Sequence, residues 1–486
     1  MSHAHYDSWT REQLVARLHK LDLEEKNRAR ATKAATRKKF REQVTAEIDF
    51  SKAYRRKIAF KFCYDGWDYN GLAIQGEETE LPTVEETLLK ALYQKRLIDP
   101  GAGMAGCDWA RCGRTDKGVS AAGQVVSLYV RSNLRSGPGI IPPSAGKYDS
   151  DFGDLGELAF IDDDASPDSE PPPNGSLDTS RKEFPFVSML NRALPASIRV
   201  LAWAPVTDKF SARHSCRYRH YRYFFSPRTT VGETLNIDLM REAASHLLGE
   251  HDFRNYCKLD AAKQITNFRR RIDRADLSPI DPEVQNGLWV FNLIGTAFLW
   301  HQVRHIMAVL FMVGTGAEPL SLVRALLNAD GSEGTDIATV PCKPEYEMAD
   351  ALPLVLWDCA YSPEDVTWVT DAEATADAEG DNEDDEQLAD APSRLLKEMA
   401  SIKERSQIQS TMHAHFLEAA HRYRKMKPHS DGIVTTQLGG GRMKTTVHYV
   451  PVLNRKRQAA VETLNAKWRE TKGARRSNRT AAVDDE

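Results

Sequence analysis

The stretch from 111 to 126 constrains this chain more than any other. It holds a single carboxylate, Asp116, in a tight turn bounded by Gly113 and Gly118. Arg111 and Arg114 stand close by, and the turn runs directly into an apolar β-type segment. The layout suits a carboxylate kept ionised inside a cleft, because a nearby guanidinium offsets the desolvation that burial imposes. The same spacing also describes a solvated turn in which Asp116 only caps its own loop. On either reading the turn delivers the chain into a strand.

Upstream, Ile58, Phe60, Phe62 and Tyr64 alternate with Lys57, Ala59, Lys61 and Cys63, the period of a half-buried strand. A Gly-rich turn follows at 65–71. Thr83 and Glu86 then form a capping box for a helix that buries Val84, Leu88, Ala91 and Leu92. Strand, helix, loop and strand in that order predict an α+β half built on an antiparallel sheet. Residues 136–181, rich in Pro, Gly, Ser and Asp, are expected not to pack. Structure resumes at 184, with an alternating strand at 218–225 that puts Tyr221 and Tyr223 on one face. A helix over 236–248 is stopped by Gly249. An apolar strand at 288–299 leads into a helix with Val303, Ile306, Met307, Leu310 and Phe311 at helical spacing. The second half shares the order of elements of the first, which suits a pseudo-symmetric pair.

At 486 residues the chain can bury two sizeable cores and leave tails over. We divide it into a charged N-terminal helix or basic arm (1–50), the two halves of one catalytic domain (57–135 and 184–361), an acidic, Pro-rich disordered insertion between them (136–183), an acidic linker (362–395) and a basic, partly helical extension (396–486). Within the first segment Leu14, Leu18, Leu21 and Leu23 form the apolar stripe; a solvated helix, an RNA-contacting arm and a nuclear-import segment all fit it. In the last, 410–425 reads as helix. No apolar run approaches the roughly 18 residues of a membrane span, and the N-terminus lacks the apolar core of a secretory signal. The seven cysteines contain no Cys-x-x-Cys pair, so free thiols in a reducing compartment are expected and a metal site is not. The net charge of −4 is unevenly spread: acidic residues crowd 149–170 and 371–390, and the remainder is basic enough to meet a polyanion.

Four segments in register resemble the TruA family of tRNA pseudouridine synthases. Gly113-Arg114-Thr115-Asp116-Lys117-Gly118-Val119-Ser120-Ala121 is similar to the family's catalytic motif, and Tyr64-Asp65-Gly66-Trp67-Asp68-Tyr69-Asn70-Gly71 to the turn after its first strand. Phe210-Ser211-Ala212-Arg213 with His220-Tyr221-Arg222-Tyr223 resembles the stretch that carries an active-site Tyr. Phe298-Leu299-Trp300-His301-Gln302-Val303-Arg304 resembles the segment that supplies an active-site Arg. The likeness covers 57–361 apart from the acidic insertion. Within the family, the run 66–73, Arg111-Cys112-Gly113-Arg114 and Pro341-Cys342-Lys343-Pro344 look like the eukaryotic branch that acts at positions 38 and 39 of the tRNA anticodon stem-loop. The chain departs from the bacterial pattern at Leu72-Ala73-Ile74-Gln75.

The resemblance implies a pseudouridine synthase fold, with two α+β halves of mainly antiparallel sheet meeting at a central cleft. It implies that Asp116 attacks the nucleotide, that Arg304 holds the carboxylate ionised and aimed, and that Tyr221 stacks on the base. A buried Asp116–Arg304 ion pair is expected on that reading; an Arg snorkelling from a core helix and a core Tyr are the alternatives. Arg111, Arg114, Lys117, Tyr69, Arg213, Arg222 and His301 are the expected RNA contacts. The reaction is an isomerisation, so no cofactor and no metal is expected. A homodimer, with cytoplasm and nucleus as its locations, is implied likewise. The competing readings are a sister synthase with another target and a catalytically idle tRNA-binding protein.

Overall fold

The computed structural model describes residues 48–143 except 77–78, 181–371 except 230–231 and 285–286, 391–423 and 433–473, with residues 10, 17 and 158–159 besides. The expected N-terminal helix, apart from residues 10, 17 and 48–50, lies outside the described residues, as do 144–157 and 160–180 of the acidic insertion and 372–390 of the acidic linker. Among the described residues, no helix is long and apolar enough to cross a membrane.

One mixed sheet organises the protein. Its long strands are β1 (Arg55–Tyr64), β2 (Ser120–Arg131), β3 (Ile198–Pro205), β4 (Tyr218–Phe225), β5 (Gly249–Asp252), β6 (Arg269–Pro279), β7 (Trp289–Gly295) and β8 (Leu354–Ala360). Across the sheet they run β3-β1-β2-β8-β4-β7-β6-β5. Every neighbouring pair in that order is antiparallel except β2 and β8, which run parallel with Val355 opposite Ser120 and Leu356 opposite Ala121. That parallel seam joins the two halves, whose sheets therefore meet edge to edge as one. It also sets the start of β2, where the signature turn ends, one strand from β4: Leu356 of β8 lies between Ala121 and Tyr221.

Helices cover the sheet for reasons the sequence contains. In α1 (Val84–Gln94) the capping box closes as expected: Thr83 Oγ1 accepts from the Glu86 N–H, and Glu86 accepts from the Thr83 N–H. Val84, Leu88, Ala91 and Leu92 are buried. After α2 (Phe186–Asn191), α3 (Ile237–Ser245) starts on an Asn236 cap, and Gly249 beyond it takes φ +100°. The long helix α4 (Gln302–Gly314) is buried on nearly every side instead of along one stripe. A helix that is apolar all round needs cover on its outer face as well. After the short α5 (Ser321–Leu327), the exposed α6 (Ala391–Tyr423) and a connecting stretch, a hairpin of β9 (Val434–Gly439) and β10 (Arg442–Thr446) supplies that cover.

Two expectations are revised by these contacts. The segment from 136 packs for its first residues: Ile140–Ile141 pairs with Arg55 and Arg56. Asp371, first residue of the second acidic block, is buried rather than solvated and accepts from the backbone N–H groups of Val187 and Ser188 at the start of α2. The basic extension folds onto the core. Tyr223 donates to the carbonyls of Asp350 (3.0 Å) and Leu438 (3.3 Å), and Arg442 pairs with Asp350 at 2.8 Å. A last helix, α7 (Val461–Trp468), docks beside the 258–265 loop through Asn465, which bonds Ile265 O and accepts from Gln264.

Candidate active site

Asp116 sits in the irregular turn between a short strand at Ala110–Arg111 and β2. The turn is held from outside. Tyr64 and Thr115 share a hydroxyl hydrogen bond of 2.7 Å, and the Leu72 N–H donates to Thr115 O. Gly66 and Gly71 are required by closeness: a Cβ on Gly66 would lie 2.0 Å from Val119 O, and one on Gly71 would lie 2.8 Å from Thr115 O. The Gly-rich turn after β1 is thus the bed on which the signature turn lies.

The carboxylate of Asp116 faces the residues that open α4. Trp300 Nε1 donates to Oδ1 at 3.2 Å, and His301 Nε2 lies 3.3 Å from Oδ2. His301 reaches it from a left-handed backbone, φ +62°, at the cap of α4, and its Nδ1 is buried without a partner. The N-terminal end of a helix favours an anion, which adds to the fit. The expected Asp116–Arg304 ion pair is not closed: no nitrogen–oxygen pair of the two comes within 4.0 Å. Arg304, in the first turn of α4, instead sends its Nε to Ala349 O at 2.8 Å. Burial pushes the Arg304 guanidinium below its ordinary value, and the charge of nearby Asp116 pushes it back up. The two charges are neighbours with a gap between them.

Tyr221 projects from β4 into the same place. It is 9% exposed and packs edge-on against Phe298 at 4.9 Å. Burial chiefly, with the charge of Asp116 a lesser cause, raises its phenol above the ordinary value, so the ring is neutral at physiological pH. Asp116, Tyr221 and Arg304, from three distant parts of the chain, are linked through one segment: Tyr221 packs on Phe298, Asp116 meets Trp300 and His301, and Arg304 follows in the same helix.

The other expected contacts divide. Arg114, Lys117 and Arg213 are exposed. Arg111 is not free for RNA: its Nε pairs with the fully buried Glu85, whose carboxylate also accepts from Trp109 Nε1 and Ile74 N. Tyr69 is buried with its hydroxyl on Ser197. Arg222 alternates to the sheet face opposite Tyr221 and stacks on Trp357 at 3.8 Å. Arg111 is thus committed to a buried carboxylate, and Arg222 to an indole and to Asn292 Oδ1. His301 touches Asp116 itself. Two site residues went unread in the sequence. Trp300 lay inside a quoted motif at a position that carries no signal by its type. Arg219 ties the signature turn to β4 by donating to Cys112 O and Arg213 O, both 3.0 Å, and to Thr296 O.

A carboxylate beside a guanidinium, a neutral aromatic ring and an exposed basic rim define a site for a flat, anion-bearing ligand. A family model described as tRNA pseudouridine synthase matches residues 243–362. A Saccharomyces cerevisiae protein named tRNA pseudouridine(38/39) synthase is 40% identical over 371 residues, 73% of this chain and 72% of its own length. A Homo sapiens protein of the same name is 40% identical over 334 residues, 67% of this chain and 60% of its own. A Methanothrix thermoacetophila tRNA pseudouridine synthase A is 29% identical over 316 residues, 65% of this chain and 86% of its own. The chain belongs to the tRNA pseudouridine synthase family, whose members are isomerases.

Proposed function

We propose that this protein isomerises uridine to pseudouridine at positions 38 and 39 of the tRNA anticodon stem-loop, with Asp116 as the attacking group. The reading is supported by the meeting of the Asp116 carboxylate with Trp300 and His301 at the start of the helix that bears Arg304, with Tyr221 packed against Phe298 two residues before Trp300. The target positions come from the relatives that bear them in their names.

In the reaction the N1–C1′ bond breaks, uracil turns, and C5 bonds to C1′. The proton on C5 leaves and N1 gains one, so nothing is added overall. Reaching C1′ requires the uridine to leave its stack, at a cost of a few kcal/mol. The exposed Arg114, Lys117 and Arg213 offset that cost through phosphates, with salt-sensitive affinity. Asp116 then acts at C1′ directly or through the C2′ proton. The gap between Asp116 and Arg304 leaves Trp300 and His301 as the side chains that meet the carboxylate directly. Tyr221 offers a ring edge and face to the extruded base. As a neutral phenol it passes a proton on only while taking another, which fits a relay better than a free base.

The test is incubation of purified protein with an anticodon stem-loop transcript, without added cofactor, followed by pseudouridine-specific mapping. Product at 38 and 39 in wild type and none in Asp116→Asn is expected. Product at other positions, or an Asp116→Asn variant that still converts uridine, overturns the reading. We also infer a homodimer present in cytoplasm and nucleus; light scattering and fluorescence microscopy of the tagged protein test these points.

A further inference from the structure

Trp300 does more than touch Asp116. Its indole remains 36% exposed, and two ammoniums lie over the same ring: Lys258 Nζ is 4.4 Å and Lys263 Nζ 4.6 Å from its centroid. Both lysines are exposed. The Lys258 N–H donates to Trp300 O at 2.9 Å, so the lysine loop and the indole are joined through backbone, and α7 backs that loop through Asn465. Exposed cation–π contacts are worth about 0.5–1 kcal/mol each. Two like charges sharing one ring repel, and among the described residues only Lys263 has a carboxylate within 4.0 Å, Asp260 at 3.1 Å. The arrangement is poor as a stability device and well suited to an anion that would sit between the two lysines.

We propose that Trp300, Lys258 and Lys263 form a subsite for the nucleotide adjoining the target uridine, and that Trp300 is a positioning residue for Asp116. The ammoniums take a phosphate of the RNA; as they move to it they bare a face of the indole to a base. Aromatic stacking tolerates any base, since each has a π face. The indole N–H meanwhile fixes the rotation of the Asp116 carboxylate, which aligns the oxygen that reacts. Occupancy of the neighbouring nucleotide and aim of the reacting oxygen are thereby coupled through one side chain. The inference rests on the reading that Asp116 attacks uridine in RNA.

Single-turnover rates over a range of stem-loop and salt concentrations test it. Trp300→Phe keeps a ring and removes the N–H; the saturated rate falls about tenfold, the scale of one hydrogen bond to a charged group, with the change in rate and not in half-saturation. Trp300→Leu removes the ring as well and raises half-saturation about tenfold. The Lys258→Gln/Lys263→Gln pair, which gives up one phosphate contact, lowers the slope of log affinity against log salt by about 0.8. A Trp300→Phe enzyme with the wild-type saturated rate, a Trp300→Leu enzyme with wild-type half-saturation, or an unchanged salt slope overturns the proposal. Wild-type protein in the same assay separates the two levels. If it forms no pseudouridine, the functional reading fails; if it does and the Trp300 and lysine variants match it, only this inference fails.

Discussion

Gly71 shows how one residue without a side chain sets the position of another with one. Its φ of +85° is a conformation that L side chains rarely adopt, and its Cα faces the backbone of Thr115 and Asp116. A methyl there would stand 2.8 Å from Thr115 O and 3.2 Å from the carbonyl carbon of Asp116. Neither neighbour can yield as a flexible side-chain tip would, because both are backbone of the signature turn. Gly71→Ala should therefore cost about 1–3 kcal/mol of stability and lower turnover by displacing Asp116, which urea denaturation and the stem-loop assay would measure together. An unchanged urea midpoint with full activity would contradict it. A control of different kind is Tyr64→Phe. It removes the hydroxyl shared with Thr115, costs about 1 kcal/mol, and should lower turnover less than Gly71→Ala in the same assay, because the backbone of the turn still meets no added atom.

Helix α4 carries the site at its first turn and a titration at its second. His305 is buried, and Lys343 donates to its Nε2 at 2.9 Å and to Cys257 O at 2.7 Å. Burial first, then the positive charges of Lys343, His301, Arg304 and Lys258, hold the imidazole well below its ordinary value. Burial likewise brings Lys343 down to about 8, so it keeps its proton in the acid range. The imidazole accepts only while neutral. Above about pH 6.5 both folded and unfolded chains carry it neutral; below, the unfolded chain binds a proton that the folded chain refuses, and stability falls as pH falls. His305→Gln keeps an acceptor and cannot titrate. Between pH 7.5 and 5.5 its unfolding free energy should drop by on the order of 1 kcal/mol less than that of wild type; equal drops would show that His305 is not the group. Elements such as α4, α1 and β1 were legible because apolar periodicity and a capping box are local signals. The hairpin β9–β10 was not. Thr435, Thr436 and Gln437 are polar residues buried by contacts far along the chain. The aim of Asp116 escaped for the same reason: Trp300 and His301 meet it only because His301 adopts a left-handed backbone that its residue type does not announce.

At the scale of the molecule, the C-terminal segment is part of the catalytic domain's interior and not an appendage. Leu438, Val452 and Val461 from that segment are buried, and Gly439, at φ +84°, lies so close to the Tyr223 hydroxyl that a Cβ would sit 2.1 Å from it. The strongest dependence is electrostatic. Glu318, just past the end of α4, is 4% exposed, and its Oε1 accepts from the Tyr449 hydroxyl and the Val452 N–H, both at 2.7 Å. Ending the chain at 432 would remove both donors and uncover apolar surface in the same step. A carboxylate stripped of its partners in a buried position costs about 3–5 kcal/mol, unless the opened surface lets water reach it. Truncation at 432 should thus lower the melting temperature by several degrees, and Glu318→Gln in the truncated chain should recover part of the loss, because a neutral amide is cheaper to leave unbonded. In the full-length chain the same substitution should be mildly destabilising, since the amide oxygen still accepts but without the charge. The sign reversal between the two backgrounds is the decisive reading: if Glu318→Gln moves both melting temperatures the same way, the C-terminal segment stabilises the domain through burial alone, and water has replaced the lost donors.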